Sequence, residues 1–415
     1  MQMLIDVCGQ IFRTLWAHKL RSFLTMFGIA WGVGSLLLLV GLGEGFRTGN
    51  KRGLSEYGEN IMFMYPGRAP VVKGSMNSAR RYRITYRDYL DARKEAPHVR
   101  ALTPVLSTDD VHAVSEFASA SGELTGAEPQ YNGIRFLPLL QGRWLNELDE
   151  AQKRNVVVLG DEMTRHLFPG RPAVGSFILL NGYRFEVVGT LKRVGRGDDN
   201  MTNMRAYIPF QVMRIDFPLK GEVEYDAISA INYQPIQAAD HQLAKQEMRK
   251  VVARNHGFDY HDEDAFEGWD TVQQAEAMGA IFDAMDEFLG TVGFVTLALG
   301  AIGVINIMLV AVSERTREIG LRKALGATNR SIMLQFFAEG VLLTLVSGLI
   351  GMALAGGLMF AFRDYNGSGG FDPPRLVPMT AILAIGSLTL AGVAAGLYPA
   401  RKAASLEPVE ALRQE

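Results

Sequence analysis

Residues 288–313 read FLGTVGFVTLALGAIGVINIMLVAVS, a run without a single charge. About twenty apolar residues, rising 1.5 Å each, cross the ~30 Å hydrocarbon layer of a bilayer, so this stretch is long enough to span a membrane as one helix. Residues 22–43, 340–362 and 376–400 have the same character. Roughly 245 residues of ordinary soluble-protein composition separate the first two stretches, whereas about 26 and 13 separate the later ones. The predicted fold is an α-helical membrane protein with four transmembrane helices and a large α/β domain of two lobes inserted between the first and second spans.

Charge placement orients the chain. Arg13, Lys19 and Arg21 precede the first span, Arg315, Arg317, Arg322, Lys323 and Arg330 follow the second, and Arg401 and Lys402 follow the fourth. Cytoplasmic loops carry the Lys/Arg excess, so all three clusters are expected inside. The 44–287 segment, with 29 Lys/Arg against 35 Asp/Glu, is then expected on the far side. The chain divides into an amphipathic cytoplasmic helix 1–21, a span 22–43, the far-side domain 44–287 with its stalk ends, a span 288–313, a cytoplasmic coupling region 314–330, a third span with inner-face extension 331–362, a short loop 363–375, a fourth span 376–400 and a cytoplasmic tail 401–415. Without a small-residue cleavage pattern after it, the first span reads as a retained anchor. Cys8 is the only cysteine, so no disulfide within the chain holds the inserted domain, and a net charge of −2 gives no reason to expect nucleic acid.

Inside the insertion, Ile61–Tyr65 and Val156–Leu159 read as strands. Thr85-Tyr-Arg-Asp88 reads as a capping box opening a helix to about Lys94, and Asn181-Gly182 as the turn of a hairpin between 177–180 and 183–188. Residues 236–253 suggest an amphipathic helix, and Gly67–Met76 and Gly195–Asn200 exposed loops. The alternation predicts that one lobe is built from both ends of the insertion. From Thr271 a helical period continues straight into the second span, as a stalk moving with the membrane helix would require.

Several patterns point away from catalysis. His256, His261, Asp262, Glu263 and Asp264 fit no zinc or EF-hand spacing and read as a solvated acidic loop, so no metal is expected. Gly41-Leu-Gly43-Glu-Gly45 ends a membrane helix instead of following a strand, which argues against a nucleotide loop. The chain carries no phosphate-binding loop, nucleophile elbow or zincin helix. In the first span, Gly28, Gly32 and Gly34 are candidate helix-packing positions. In the coupling region Glu314, Arg317, Glu318 and Arg322 are candidate interface charges over an apolar anchor of Ile319 and Leu321. Glu339, expensive near a membrane interior unless paired, is assigned a structural pairing with Arg330 or another loop arginine.

The resemblance to a known family becomes specific at Lys19-Leu-Arg-Ser-Phe-Leu-Thr-Met-Phe-Gly-Ile-Ala-Trp-Gly-Val33, which resembles the opening of the permease region of MacB-type ABC transporters, the mechanotransmission class. Asn60–Gly67, Gly142-Arg143-Trp144, Val157–Gly160, Leu167-Phe168 and Tyr183–Gly189 resemble motifs of its periplasmic core, Asn306–Ala327 its coupling region, and Tyr398–Ala404 with Glu407–Leu412 its C-terminal signature. The resemblance implies a non-catalytic permease subunit of the cell inner membrane, with both termini cytoplasmic and the large domain periplasmic. Since only about twenty residues precede the first span, the ATPase is expected on a separate polypeptide. ATP and magnesium would be bound by that partner and no cofactor by this chain. Further partners implied are a second permease copy or a paralogous permease, a periplasmic adaptor and an outer-membrane channel. The function expected is efflux of drugs, peptides or other cargo, the alternatives being lipoprotein release or FtsX-like regulation of a periplasmic enzyme. In a Cys8→Ala background, a cysteine at Ser121 is expected to react with an impermeant thiol reagent in sealed cells, and cysteines at Thr328 or Ser405 to stay unlabelled; labelling at Thr328 would overturn the orientation.

Overall fold

A computed structural model describes residues 19–70, 79–195, 201–219, 226–363 and 372–407. Residues 1–18 of the expected amphipathic helix, 71–76 and 196–200 of the two expected loops, and part of the C-terminal signature lie outside the described residues. The chain forms two compact units, one of residues up to Gly49 and from Ala280 onward, the other Asn50–Gly279.

In chain order, α1 (Lys19–Ser55) leads to β1 (Met62–Pro66), the hairpin β2 (Arg68–Pro70) and β3 (Ala79–Arg81), β4 (Ile84–Thr85), α2 (Tyr86–Glu95) and the long strands β5 (Val99–Val114) and β6 (Ser119–Ala127). Then come α3 (Tyr131–Ile134), β7 (Leu139–Gly142), α4 (Glu147–Ala151), β8 (Val156–Leu159), α5 (Asp161–Leu167), β9 (Phe177–Leu180), β10 (Tyr183–Leu191) and β11 (Arg205–Pro209). The domain ends with α6 (Phe210–Asp216), β12 (Ala227–Ile228), β13 (Ala230–Pro235), α7 (His241–His256) and β14 (Phe266–Asp270). Four helices follow: α8 (Thr271–Glu314), α9 (Thr316–Ala324), α10 (Asn329–Ala361) and α11 (Pro378–Ser405).

Ten strands make one sheet in the order β14-β1-β13-β5-β6-β11-β8-β10-β7, with β9 pairing both β10 and β5. In one half, β1 from the start of the insertion pairs antiparallel with β14 from its end and with β13. In the other half the pairings pass from β5 through β6, β11, β8, β10 and β9 and return to β5, closing a six-stranded ring. The sixteen-residue β5 belongs to both halves, because its register shifts between Thr108 and Val111 and such an irregularity bends a strand toward new partners. Alternation along the strands sends Met62, Met64, Leu102 and Leu106 into one core with Tyr89 and Ala92 of α2 and Met248 and Val251 of α7.

Local chemistry explains several boundaries. Thr85 and Asp88 make the reciprocal capping box expected at the start of α2. Asn181 and Gly182 both have positive φ, 45° and 95°, as a two-residue hairpin turn requires. The amphipathic helix expected from 236 begins only at His241, with Ile236 exposed beyond β13. The first apolar helix does not end near Gly43 but continues to Ser55. His256 is engaged by Asp88, Nε2 to Oδ2 at 2.7 Å.

The junction from sheet to stalk has no loop. Asp270 closes β14, and its Oδ1 accepts the N–H groups of Val272 and Gln273, each at 3.0 Å, capping the first turn of α8. Its other oxygen, Oδ2, lies 2.8 Å from Nδ1 of buried His241. Thr271 donates its hydroxyl to the carbonyl of Ile61, ahead of β1, at 2.8 Å. Asp270→Ala should lower domain stability by about 1–2 kcal/mol and speed hydrogen exchange at amides 272 and 273; unchanged exchange there would show that the cap contributes nothing.

Candidate functional site

Among the described residues four helices are long and apolar enough to cross a membrane: Met26–Ser55 within α1, then α8, α10 and Ala381–Ser405 within α11. Small residues decide how closely they pack. Gly34 of α1 meets the backbone of Gly351 in α10, where an added Cβ would stand 3.1 Å from the Gly351 oxygen, and Gly32 faces Thr296 of α8 at 3.6 Å. Gly28, expected in the same role, is exposed, and among the described residues nothing stands within 4 Å of a Cβ added there. The close contacts that sequence reading missed are Gly351 against Ala30 and Gly340 against Gly396. Gly41 and Gly45 lie inside α1 and make room for the chain entering α11: Asp372 N–H donates to the Gly45 carbonyl at 3.1 Å and Arg375 N–H to that of Gly41 at 3.2 Å. Above them, Arg47 of α1 bridges Asp283 at 3.1 Å and Asp286 at 3.5 Å on α8, beside an edge-on contact of Phe46 with Phe282.

At the other end of α8 the coupling region is a short helix. Glu314 closes α8, Arg315 turns the chain, and α9 follows at once. Gly326, with φ of +99°, ends the segment in the left-handed region where a side chain would be strained. Thr328 then caps α10 by accepting the Ser331 N–H at 3.3 Å.

Side chains on α9 face two ways. Ile319 is only 2% exposed and packs in the bundle core with Ile332 and Phe336. It anchors α9 to its own bundle, which corrects its assignment to a partner-facing set. Leu321 and Leu325, 53% and 81% exposed, lie four residues apart on the outward side, with Arg317 four residues earlier on the same stripe. Glu314, Arg317 and Glu318 are exposed. Arg322 donates to Glu318 at 2.5 Å and to Gln335 of α10 at 2.8 Å, so it belongs partly to the bundle.

Two contacts lock α9 in place. Lys323 Nζ donates to the carbonyls of Ala404 and Leu406, each at 2.6 Å. The last turn of a helix leaves carbonyls unbonded and carries partial negative charge, so the ammonium satisfies both demands at the end of α11. Glu339, 6% exposed, lies 3.5 Å from the Arg315 guanidinium through both oxygens. Its partner is therefore Arg315 and not Arg330. Arg330 stands nine residues earlier on the same helix, two and a half turns and ~13 Å away on the opposite face, out of reach.

These features define a membrane protein with four apolar helices among the described residues, a large α/β domain and a short helix α9 with exposed leucines and charges. Residues 22–251 match the MacB-like periplasmic core domain and residues 290–408 the FtsX-like permease C-terminal domain. The chain belongs to this MacB-like family of ABC transporter permeases. It is 31% identical to YknZ of Bacillus subtilis, described as an uncharacterized ABC transporter permease, over 96% of each chain. It is 30% identical to the macrolide export ATP-binding/permease protein MacB of Bdellovibrio bacteriovorus over 99% of its own length, spanning 62% of that protein. Against the pyoverdine export ATP-binding/permease protein PvdT of Pseudomonas entomophila it is also 30% identical, spanning 60% of it. Among solved structures, the periplasmic region of MacB from Actinobacillus actinomycetemcomitans aligns with 55% of this chain and 96% of its own at 20% identity and a TM-score of 0.43.

A side chain at Gly351 would strike the Ala30 backbone, and backbone yields less readily than a side-chain tip. Gly351→Val should therefore destabilise the bundle by about 1–3 kcal/mol, read as a lower thermal midpoint in detergent. Gly357→Val, on the exposed side of the same helix where nothing stands within 4 Å, should leave that midpoint unchanged; equal effects would refute the packing assignment.

Proposed function

We propose that this chain is the permease subunit of an ABC exporter, set in the inner membrane with both ends cytoplasmic and the α/β domain in the periplasm. A separate ATPase, which binds ATP and magnesium, docks on α9. The observation that carries this reading is the stripe of Arg317, Leu321 and Leu325: two exposed leucines and a charge on a helix whose other face is fixed to the bundle by Ile319 and Lys323. Exposed apolar side chains at the rim of a membrane protein call for a partner, and charges beside them set its orientation. A helix held rigidly from behind passes a push from that partner to α8 and α10 instead of absorbing it.

The route outward is α8. Its 44 residues extend ~66 Å, about twice the hydrocarbon thickness, and the capped junction at Asp270 joins it to β14 without a loop. The sheet half holding β14, β1 and β13 and the ring half beyond β5 form the two lobes, and movement of the stalk would alter the first directly. A second copy of the permease completes the unit. Open Gly28 and the exposed aromatic ladder of Phe23, Phe27 and Trp31, stacked at 5.8 Å intervals, are the surface of α1 offered to that copy. Export is the common element in the names of the MacB and PvdT relatives, which favours outward movement of small-molecule cargo over lipoprotein release or regulation of an external enzyme. An adaptor and an outer-membrane channel would complete such a path.

Affinity purification of the full chain in mild detergent should recover a separate ABC ATPase and two permease copies. Arg317→Glu combined with Leu321→Asp should abolish that recovery and any stimulation of ATP hydrolysis, with the thermal midpoint of the permease unchanged because neither side chain is in the core. Ile319→Ala should instead lower the midpoint. Retention of the ATPase by the double variant would refute docking on α9.

A further inference from the structure

The half of the sheet that carries Met62 and Met64 into the core turns its alternate residues to the opposite face, and there they form a cleft of about 260 Å³. Phe63 on β1 stands across from Asn232 on β13 and from Trp269 on β14. Further along, Glu123 on β6 stands across from Arg205 on β11. Tyr57 closes one side, packed edge-on against Trp269 at 4.7 Å, and Trp269 stacks on Phe63 at 5.6 Å. The walls are thus aromatic.

The polar groups in this cleft are unevenly matched. Glu123, 6% exposed, is neutralised by Arg205 at 2.5 Å. Arg135, also 6% exposed, has no carboxylate within ion-pair distance among the described residues, and its Nε has no hydrogen-bond partner. Its guanidinium lies over the rings of Tyr57 and Phe63, 5.5 and 5.3 Å from their centroids. Asn232, 3% exposed, likewise leaves Oδ1 without a donor. Ring faces compensate a buried cation only in part, and native interiors seldom leave a buried charge and a buried amide oxygen both unmatched. Two arginines and one glutamate line the cleft, so its formal charge is positive.

We propose that this cleft is a binding site for a small organic anion: a carboxylate that pairs with Arg135, an aromatic or comparably apolar group beside it that fills the space between Tyr57, Phe63 and Trp269, and an N–H that reaches Asn232. Size restricts the ligand, because pockets for drug-sized molecules run from ~300 to 1,000 Å³ and this one admits about one ring. The site is independent of the exporter reading, since it requires neither ATPase nor second copy.

N-acetyl-L-phenylalanine and its neutral amide share the ring and the acetamido N–H and differ at the group Arg135 would meet, where the amide puts a neutral NH2 in place of one oxygen of the charged carboxylate. In titration calorimetry on the full chain in detergent, the carboxylate should bind at least about tenfold more tightly than the amide, as expected for a hydrogen-bonded buried ion pair. Arg135→Gln should abolish the difference, Arg135→Lys should restore part of it, and Arg87→Gln on the exposed side of α2 should leave it intact. Equal binding of the two probes, binding of neither, or a preference that survives Arg135→Gln would overturn the proposal. The two-probe comparison on the unaltered chain decides the matter even if the Gln variant does not fold.

Discussion

The continuous hydrogen-bond ladder of α8 is the constraint on which the other parts depend. Inside a bilayer no water can satisfy a broken backbone bond, so a span must be helical throughout. In this chain the ladder does not stop where the lipid does. It continues through a polar segment to Thr271, and the free N–H groups at its first turn are taken by a carboxylate that ends a β-strand. No loop stands between the strand and the first turn of the helix, which is why the cap at Asp270 and the support it receives from His241 matter more than their individual energies.

At its inner end the same helix meets a different solution. Glu314 and Arg315 interrupt it, and α9 is fixed from behind by an apolar side chain, a buried ion pair and a lysine on the end of α11. The pair of Arg315 with Glu339 is retained in a place where an unpaired carboxylate would be costly, and it ties the turn after α8 to the middle of the bundle. With those attachments made, the outward stripe of α9 is left with exposed leucines that nothing among the described residues covers. Rigidity behind and exposure in front are what a force-transmitting contact requires.

Much of this was legible in the sequence because the signals are local. The uncharged stretches, the Thr85–Asp88 capping box, the Asn181-Gly182 turn and the unbroken helical period from Thr271 each depend on residues within a few positions of one another. What was missed depends on distant partners. The glycines at 41, 43 and 45 read as the end of a helix because glycine weakens helices, yet α1 runs through them: two of them give close passage to residues 372–375, more than three hundred positions away. Ile319 reads with Leu321 as one apolar anchor under the interface charges, and only the positions of Ile332 and Phe336 show that Ile319 seats in its own bundle while Leu321 stays exposed.

The anion cleft was invisible for the same reason. Its residues come from β1, β5, β6, β11, β13 and β14, from α3 and from connecting segments, and Glu123, Arg135, Arg205 and Asn232 lie too far apart in sequence to form a motif. Register brings them together: the period of two that buries Met62 and Met64 necessarily presents Phe63 on the other side, and antiparallel pairing sets Asn232 and Trp269 beside it. A one-residue slip of β1 would exchange the two faces, so the core that stabilises this half of the domain also fixes the geometry of the cleft. Arg135 is the exception, since no strand places it. It follows α3, donates its backbone N–H to the Tyr131 carbonyl at 2.8 Å, and reaches the aromatic floor because that short helix is packed against β5 and β13 through Tyr131 and Ile134, both 2% exposed. Among the described residues the charge is therefore held by packing and not by a counterion, which is the role the proposed carboxylate would fill.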